Sequence, residues 1–275
     1  MANILDRYGI KEVADVTFYK IDGEGNRAEP VLFLDTLKVS TIEQTGEQAE
    51  ARGGKGNPPL LIWDYGKEIN VTLEDALFSA KSMAIMFGDG RVDTNDPGIV
   101  KTWTVNTKAP LAATKVLEYG GKNIKVEALD NVTYYTAEGH ELTEASGSFT
   151  DKTVTPNVEN AVAAFMTGTI PVKDVGVIEI SANSFPGTYY ITGDTYARSE
   201  ITGEDEFFQF IIKKAKVQSE NTITLEAEGD PSIFNMSLRV MRPADGKMMQ
   251  LVKYNLNVDD EGNEITTTTT TTTEN

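Results

Sequence analysis

The sequence predicts a mainly β protein, a sandwich or barrel of antiparallel strands with one short flanking α-helix at about residues 80–87. Two observations support this fold class. Short stretches with an apolar residue at every second position recur along most of the chain, which is typical of half-buried strands. Clusters rich in Gly, Pro, Asn and Asp separate these stretches, as turns do. With 275 residues, 40% of them hydrophobic, the chain is long enough to bury a substantial core.

The clearest local signal lies between residues 67 and 88, where the period of the apolar residues changes. Residues 69–73 alternate between apolar and polar, as in a strand, whereas residues 80–87 carry apolar side chains at helical spacing. Ser79 is a suitable N-cap, because its hydroxyl can accept a hydrogen bond from an amide of the first turn. Gly88 is a suitable C′ residue, because glycine adopts the left-handed conformation without a steric penalty. We therefore expect a strand that leads into a short helix.

The other strand predictions use the same two signals, alternation and bracketing turns. They comprise residues 13–21, 31–42, 60–63, 68–77, 102–107, 114–119, 124–128, 175–182, 188–196, 206–217, 221–228, 233–241 and 247–256. We expect the first two to form a hairpin through the turn-rich cluster at 22–26, and the last two a hairpin through the Pro-Gly turn at 242–246. Gly120 and Gly121 predict a tight turn.

A second helix is compatible with residues 156–167. Thr155 could cap it, Pro156 is tolerated in a first turn, and Gly168 could end it. Between these residues, four apolar side chains recur at helical spacing.

Two segments lack the apolar pattern that a core element needs. Residues 43–59 combine three glutamates with a stretch rich in Gly and Pro, so we expect a long flexible loop. A loop of this length without structure of its own usually serves a function or is disordered. Residues 259–275 join an acidic stretch to eight consecutive threonines, so we expect a flexible C-terminal tail.

The net charge of −17 bears on possible partners. Nucleic-acid binding normally depends on Lys and Arg that neutralise phosphates, so this charge disfavours a protein that holds nucleic acid in place. It fits a wall along which DNA slides without sticking, and it equally fits a surface that keeps an abundant protein soluble. The apolar runs fall short of the roughly 20 residues of a membrane span, so we expect no membrane association. The absence of Cys suits assembly in a reducing cytoplasm.

The sequence contains no recognisable catalytic or cofactor-binding pattern. The single histidine, His140, lies in a predicted turn, so we expect a structural role for it and neither a catalytic triad nor a metal site. Residues 93–98 resemble the start of a calcium loop, but Pro97 stands at the fifth position and Thr104 at the twelfth, where a glutamate is expected, so an ordinary turn is favoured. We therefore expect no enzymatic activity, no cofactor and no metal.

The C-terminal strands, together with residues 67–88, carry a resemblance to a known family. Residues 210–217 end in Lys-Ala-Lys-Val, residues 221–231 contain Leu-Glu-Ala and then Gly-Asp-Pro, and residues 233–238 continue as an apolar strand. This order resembles the closing strands of bacteriophage major tail tube proteins. The chain is longer than the minimal fold of that family.

The resemblance implies a virion structural protein. Six copies would close into a ring by extending a sheet, and rings would stack into a hollow tail tube through which DNA is ejected. It also implies partners, namely tape measure, tail terminator and baseplate or tail-tip proteins, and assembly in the host cytoplasm. For this chain we expect a tail-tube-like domain at residues 1–258, with an inserted elaboration at 129–203.

In tube proteins a long loop reaches a neighbouring subunit, and residues 43–57 match its position. We therefore expect an inter-subunit segment there, with a surface loop that contacts no neighbour as the alternative. Its candidate contact residues are Glu43, Glu47, Glu50, Arg52, Lys55 and Asn57.

Two other functions stay open at this point. Another virion β-protein, such as a capsid decoration or tail-completion subunit, would not polymerise into long hollow cylinders. A calcium- or glycan-binding β-sandwich is disfavoured by the incomplete calcium loop and the absence of an export signal. The aromatic residues Trp63, Trp103, Phe207 and Phe208 fit either a core or an interface.

Overall fold

The computed structural model describes residues 7–95, 97–106, 115–116, 118–123, 129–136, 142–144, 148–150, 153–155, 161–170, 172–220, 223 and 233–256. The chain divides into two compact units, one made of Met1–Arg91 with Ile178–Asn275 and the other of Val92–Val177. Both are built from antiparallel strands, which confirms a mainly β fold. The insertion expected at 129–203 stays a prediction.

Eighteen strands and one helix make up the described part of the chain. In chain order they are β1 (Tyr8–Ile10), β2 (Asp15–Ile21), β3 (Arg27–Leu34), β4 (Leu37–Arg52), β5 (Pro59–Asp75), α1 (Ala80–Phe87), β6 (Ile99–Asn106), β7 (Lys115–Val116), β8 (Glu118–Tyr119), β9 (Lys122–Asn123), β10 (Leu129–Thr136), β11 (Leu142–Glu144), β12 (Ser148–Thr150), β13 (Thr153–Thr155), β14 (Ala161–Ile170), β15 (Thr188–Ser199), β16 (Asp205–Val217), β17 (Phe234–Val240) and β18 (Gln250–Tyr254).

The first unit contains a nine-stranded sheet in the order β3-β2-β15-β16-β17-β5-β4, with β1 beside β15 and β18 beside β16. Over the described residues the sheet runs from β3 to β4 without closing, so the chain does not form the barrel that was one of the two predicted alternatives. The two end strands are consecutive in sequence and are joined by Asp35 and Thr36 alone.

The inner face of this sheet forms one core. Val16 and Phe18 of β2 and Val71 and Leu73 of β5 belong to the same buried cluster, although their strands lie far apart in the sheet order. The sheet must therefore fold over on itself and face its own inner surface, as the two layers of a sandwich do. Its end strands also contribute buried residues, including Leu34 and Leu37 on either side of the connecting corner.

Helix α1 begins as predicted. The Ser79 hydroxyl accepts a hydrogen bond from the Ser82 amide at 3.0 Å, and the Ser82 hydroxyl accepts one from the Ser79 amide at 2.9 Å. The predicted left-handed conformation of Gly88 is wrong, because its φ is −141°. Glycine is favoured there by the tight space, since a Cβ would stand 3.1 Å from the carbonyl oxygen of Glu179. The left-handed residue is Gly90, with φ +81°.

The predicted second helix at 156–167 is wrong over its described part. Residues 161–167 belong to β14, which pairs with β10 on one side and β6 on the other in the four-stranded sheet of the second unit. Pairing on both edges satisfies the backbone groups of this segment, and tertiary pairing of this kind overrides a weak local helical pattern. The tight turn between β8 and β9 is confirmed, with Gly120 and Gly121 at positive φ.

The hairpin predicted for the last two strands is also wrong. β17 pairs with the end of β16 at Val217 and β18 pairs with its start at Phe207, so the two strands lie end to end along one edge of β16. The 13 residues of β16 provide room for both strands. The turn itself is present, since the Gly246 amide donates to the Pro243 carbonyl at 3.0 Å.

Other predictions have mixed outcomes. The β2–β3 hairpin is confirmed, with the Asp22 carboxylate accepting the amides of Glu24 and Asn26 in its turn. Residues 175–182 contain only an isolated bridge at Val177 and no strand. The predicted strand 124–128, all of 221–228 except Ile223, His140 and the tail 259–275 lie outside the described residues.

Replacing Gly193 by Ala should destabilise the first unit. A Cβ at this position of β15 would overlap the ring of Phe210 on β16, and that ring is 3% exposed and has no free space to move into. We expect a loss of about 1–3 kcal/mol in the free energy of unfolding, measured by urea denaturation. Gly23→Ala is the matched control, since a Cβ there has no atom within 4 Å. Equal midpoints for the two variants would contradict the packing described.

A candidate inter-subunit surface

The segment predicted as a flexible loop at 43–59 is a β-hairpin. β4 and β5 pair from Leu37 opposite Asp75 to Arg52 opposite Pro59, with three register shifts along the way, and only residues 53–58 connect them. The sequence prediction failed because this hairpin extends beyond the core, so its strands lack the alternating burial that marks a strand in sequence. We call its far end, residues 47–52 paired with 59–65, the arm.

One side of the arm is apolar. Trp63 lies opposite Ala49 and Leu61 lies opposite Ala51, and successive odd-numbered residues of a strand share a side. Tyr65 continues this row on β5. The three large residues are 53–58% exposed, so more than half of each side chain faces solvent. Small residues opposite large ones leave the rings and the leucine accessible to a partner.

The other side of the arm is mostly polar. Gln48 donates a hydrogen bond from its side-chain amide to Asp64 at 2.8 Å, and Arg52 donates to the Glu50 carboxylate at 2.6 Å. Exposed Leu60 and Ile62 also lie on this side, with Ile62 opposite Glu50, so this side mixes polar and apolar residues. The arm is therefore amphipathic, although neither of its sides faces the core of its own chain.

The arm joins the rest of the hairpin at a register shift, between the pair Thr45–Glu68 and the pair Glu47–Tyr65. Beyond this shift β5 enters the core through Ile69, which is 7% exposed. At the far end of the hairpin the buried Asp75 carboxylate accepts hydrogen bonds from the Thr36 hydroxyl at 2.5 Å and from the Leu77 amide at 3.2 Å. These bonds connect the β3–β4 corner to the end of β5, so the hairpin is fixed at the end that lies in the core.

The structure places the predicted contact residues at different points of the hairpin. Glu43 pairs with Asn70 below the arm, Glu47 packs beside Gly66, and Glu50 and Arg52 form an ion pair on its polar side. Lys55 and Asn57 lie in the connecting loop, where Asn57 has φ +50°. Whether these residues contact another subunit stays a prediction.

Sequence reasoning missed the apolar side, which is the most distinctive feature of the arm. The available signal was the run Leu60–Leu61–Ile62–Trp63 directly after two prolines, which predicts a strand but does not decide between a core and an interface. A run that is apolar at consecutive positions fits a strand with both faces covered, and only the structure reveals that both faces of this one are exposed.

A cluster of aromatic residues, exposed Tyr196 with half-buried Phe207 and Tyr254, lies on the outer face of the sheet. The Phe207 ring lies 5.5 Å from the Tyr196 ring and stacks on the Tyr254 ring at 5.4 Å. Burial and then the negative charge of Asp194 raise the pKa of the Tyr254 hydroxyl. The three rings therefore form one contiguous group along β15, β16 and β18, in which only Phe207 and Tyr254 are stacked.

Charged pairs lie beside these aromatic residues. Arg198 donates two hydrogen bonds at 2.7 Å to the Asp205 carboxylate, which lower the pKa of Asp205. The Lys253 ammonium contacts the Glu206 carboxylate and the Tyr8 ring and hydroxyl, and its interaction with the Glu206 carboxylate is the main cause of its raised pKa. These pairs hold β1, β16 and β18 together at this end of the sheet.

The described residues offer no site for metal chemistry. No group of three or more His, Cys, Asp or Glu side chains in the described ranges is placed to hold a metal ion. Asp93, from the incomplete calcium loop, accepts hydrogen bonds from the amide and the side chain of Asn95, and the first of these is the main cause of its lowered pKa. No helix in the same ranges is long and apolar enough to span a membrane.

Comparison with known proteins identifies the family of this chain. A profile of the YomU/Tube protein family matches residues 8–253, so the chain belongs to that family. A tail tube protein of Bacillus phage SPR is 28% identical over 207 residues, which cover 73% of this chain and 72% of the relative. These findings confirm the resemblance to phage tail tube proteins, a structural class rather than a class of enzymes.

Two substitutions on β5 should show that the arm contributes far less to folding stability than the core does. Trp63→Ala should change the free energy of unfolding by no more than about 0.5 kcal/mol, because the side chain is already exposed. Leu73→Ala, on the same strand, should cost about 2–5 kcal/mol, because Leu73 is 1% exposed. Urea denaturation of dilute protein measures both. A loss at Trp63 comparable to that at Leu73 would mean that the arm is part of the core.

Proposed function

We propose that this chain is a self-assembling tail tube subunit, that six copies close into a ring, and that stacked rings form the conduit for DNA ejection. The observation that carries the proposal is the apolar side of the arm, formed by Leu61, Trp63 and Tyr65. A two-stranded ribbon is marginally stable in water, and large contiguous apolar surface usually marks a site of association. Family membership supports the same function.

Contact between the arm and a second copy of the chain would be stabilised by burial of its apolar side chains. Full burial of a large apolar side chain contributes about 1.5–3 kcal/mol, and these three are still 53–58% exposed, so covering them recovers roughly half of that for each. The short connection at residues 53–58 and the pairing of the two strands reduce the ordering cost of binding. We place the predicted contact residues Glu47, Glu50, Arg52, Lys55 and Asn57 at the rim of this contact, with Glu43 near its base.

Ring closure would cover the unpaired edges of the two end strands of the sheet. β3 and β4 each have one edge without a partner strand in the described part of the chain, and β4 is 16 residues long. Long exposed edges are aggregation liabilities unless another strand covers them. Pairing between neighbouring subunits at these edges would cover them, and a closed ring leaves no edge free.

The remaining elements of the proposal follow from the family. The assembled tube would be a component of the virion tail, formed in the host cytoplasm. Its ends would contact tape measure, tail terminator and baseplate or tail-tip proteins. DNA would pass through without specific binding, and the chain would carry no enzymatic activity.

Removal of the arm should separate ring formation from stacking. Joining Gly46 to Gly66 through an Asn-Gly turn in place of residues 47–65 leaves the core strands intact, so circular dichroism should keep its strand signal and dilute protein should stay folded. Rings should persist, and long tubes should be lost in negative-stain micrographs and sedimentation.

A matched pair of double variants tests which side of the arm matters. Leu61→Ser with Trp63→Ser alters the apolar side and should also abolish tubes. Gln48→Ala with Asp64→Ala alters the polar side and should leave them. Normal polymerisation without the arm, or equal effects of the two double variants, would show that the hairpin is a surface feature only.

Assembly should improve with ionic strength. Subunits of charge −17 repel one another, and the Debye length falls from about 30 Å at 0.01 M salt to about 8 Å at 0.15 M. Polymer yield, measured by sedimentation, should rise over this range, with sucrose at matched osmolarity as the control. A yield that falls steadily as salt is added would indicate that attractive ion pairs dominate the interfaces.

A further inference from the structure

The outer face of the nine-stranded sheet has two chemically different halves. On β4, β5 and β17 it carries small polar and charged side chains, apart from Val39 at its edge. Cross-strand register places on this polar half Thr41, Glu43, Thr45, Glu68, Asn70, Thr72, Glu74, Asn235, Ser237 and Arg239. The alternate residues of the same strands, such as Val71 and Leu238, face the core.

The other half of the outer face is aromatic. On β2, β3, β15, β16 and β18 it carries Tyr19, Phe33, Tyr190, Tyr196, Phe207, Ile211, Val252 and Tyr254. Polar residues lie among them, but the polar half contains no aromatic residue at all in the register described. Both halves cover the same core, so packing against the core does not explain the difference. We attribute it to the different surroundings of the two outer surfaces.

We infer that the polar half lines the passage of the assembled tube, and this inference rests on the proposed function. β4 is an end strand of the sheet, so a neighbouring subunit that pairs along its edge would extend the layer that carries the polar half. The core and α1 lie behind both halves of the outer face, so in a small ring one half turns toward the axis and the other away from it. The chemistry of the two halves selects the polar one.

The chemistry of the polar half suits the passage of a duplex polyanion. Hydroxyl and amide groups offer hydrogen bonds that water can replace, and the face has no aromatic ring on which a base could stack. The polar half carries three glutamates and one arginine, and that arginine, Arg239, is already paired with Glu68. Phosphates therefore meet no free cation in this register and no binding minimum.

Single cysteines can test which half faces the lumen, because the chain contains no Cys. Thr72→Cys reports on the polar half and Thr17→Cys on the aromatic half. The two positions are matched, since both are half-buried threonines on strands of the same sheet. Each variant is treated with N-ethylmaleimide and with a maleimide that carries a long polyethylene glycol chain, first as dispersed subunits and then as tubes.

Dispersed subunits should react with both reagents at both positions. In tubes, Thr72→Cys should keep its reaction with N-ethylmaleimide and lose its reaction with the large reagent. If Thr72→Cys in tubes reacts with the large reagent, the residue lies on the exterior of the tube. If it reacts with neither reagent, the residue is buried in an interface between subunits. Either result would overturn the inference. Exclusion of the large reagent at Thr17→Cys alone would reverse the assignment. Absence of tubes in the unaltered protein would instead contradict the proposed function.

Discussion

The side chains on the inner face of the nine-stranded sheet form one core, and the position of every functional surface depends on it. Residues from both ends of the sheet, such as Phe18 and Leu73, are buried together, which requires the sheet to fold over on itself. That folding brings the end strands to a shared corner, where Thr36 bonds to Asp75. It also leaves two outer faces that point in different directions, and it fixes the direction in which the β4–β5 hairpin leaves the core.

The hairpin shows how a stable core supports an element that is not stable by itself. Its base shares the core through Ile69 and Val71, whereas its far end exposes Leu61, Trp63 and Tyr65. A short connection and continuous pairing with each other limit the conformations of the two arm strands, so less entropy is lost when a partner covers them. The arm is therefore suited to a contact that forms only on assembly, and family membership favours another copy of the chain as the partner.

Local signals in the sequence predicted what local interactions determine. Ser79 identified the start of α1, and alternation identified β15 and β16 closely. The sequence could not reveal partners: β17 and β18 share one edge of β16, and residues 161–167 are held as a strand by pairing on both sides. The arm was missed for a related reason. Its strands pair with each other outside the core, so burial leaves no periodic pattern in their sequence.

Fluorescence of Trp63 tests most directly whether the apolar side of the arm is covered by assembly. The chain has two tryptophans, so a Trp103→Phe variant reports on Trp63 alone. The emission maximum should lie at the wavelength of solvent-exposed tryptophan in dilute protein and move to shorter wavelength as tubes form. Tubes that keep the exposed emission of Trp63 would contradict the account, because the arm would then contribute no buried contact between copies.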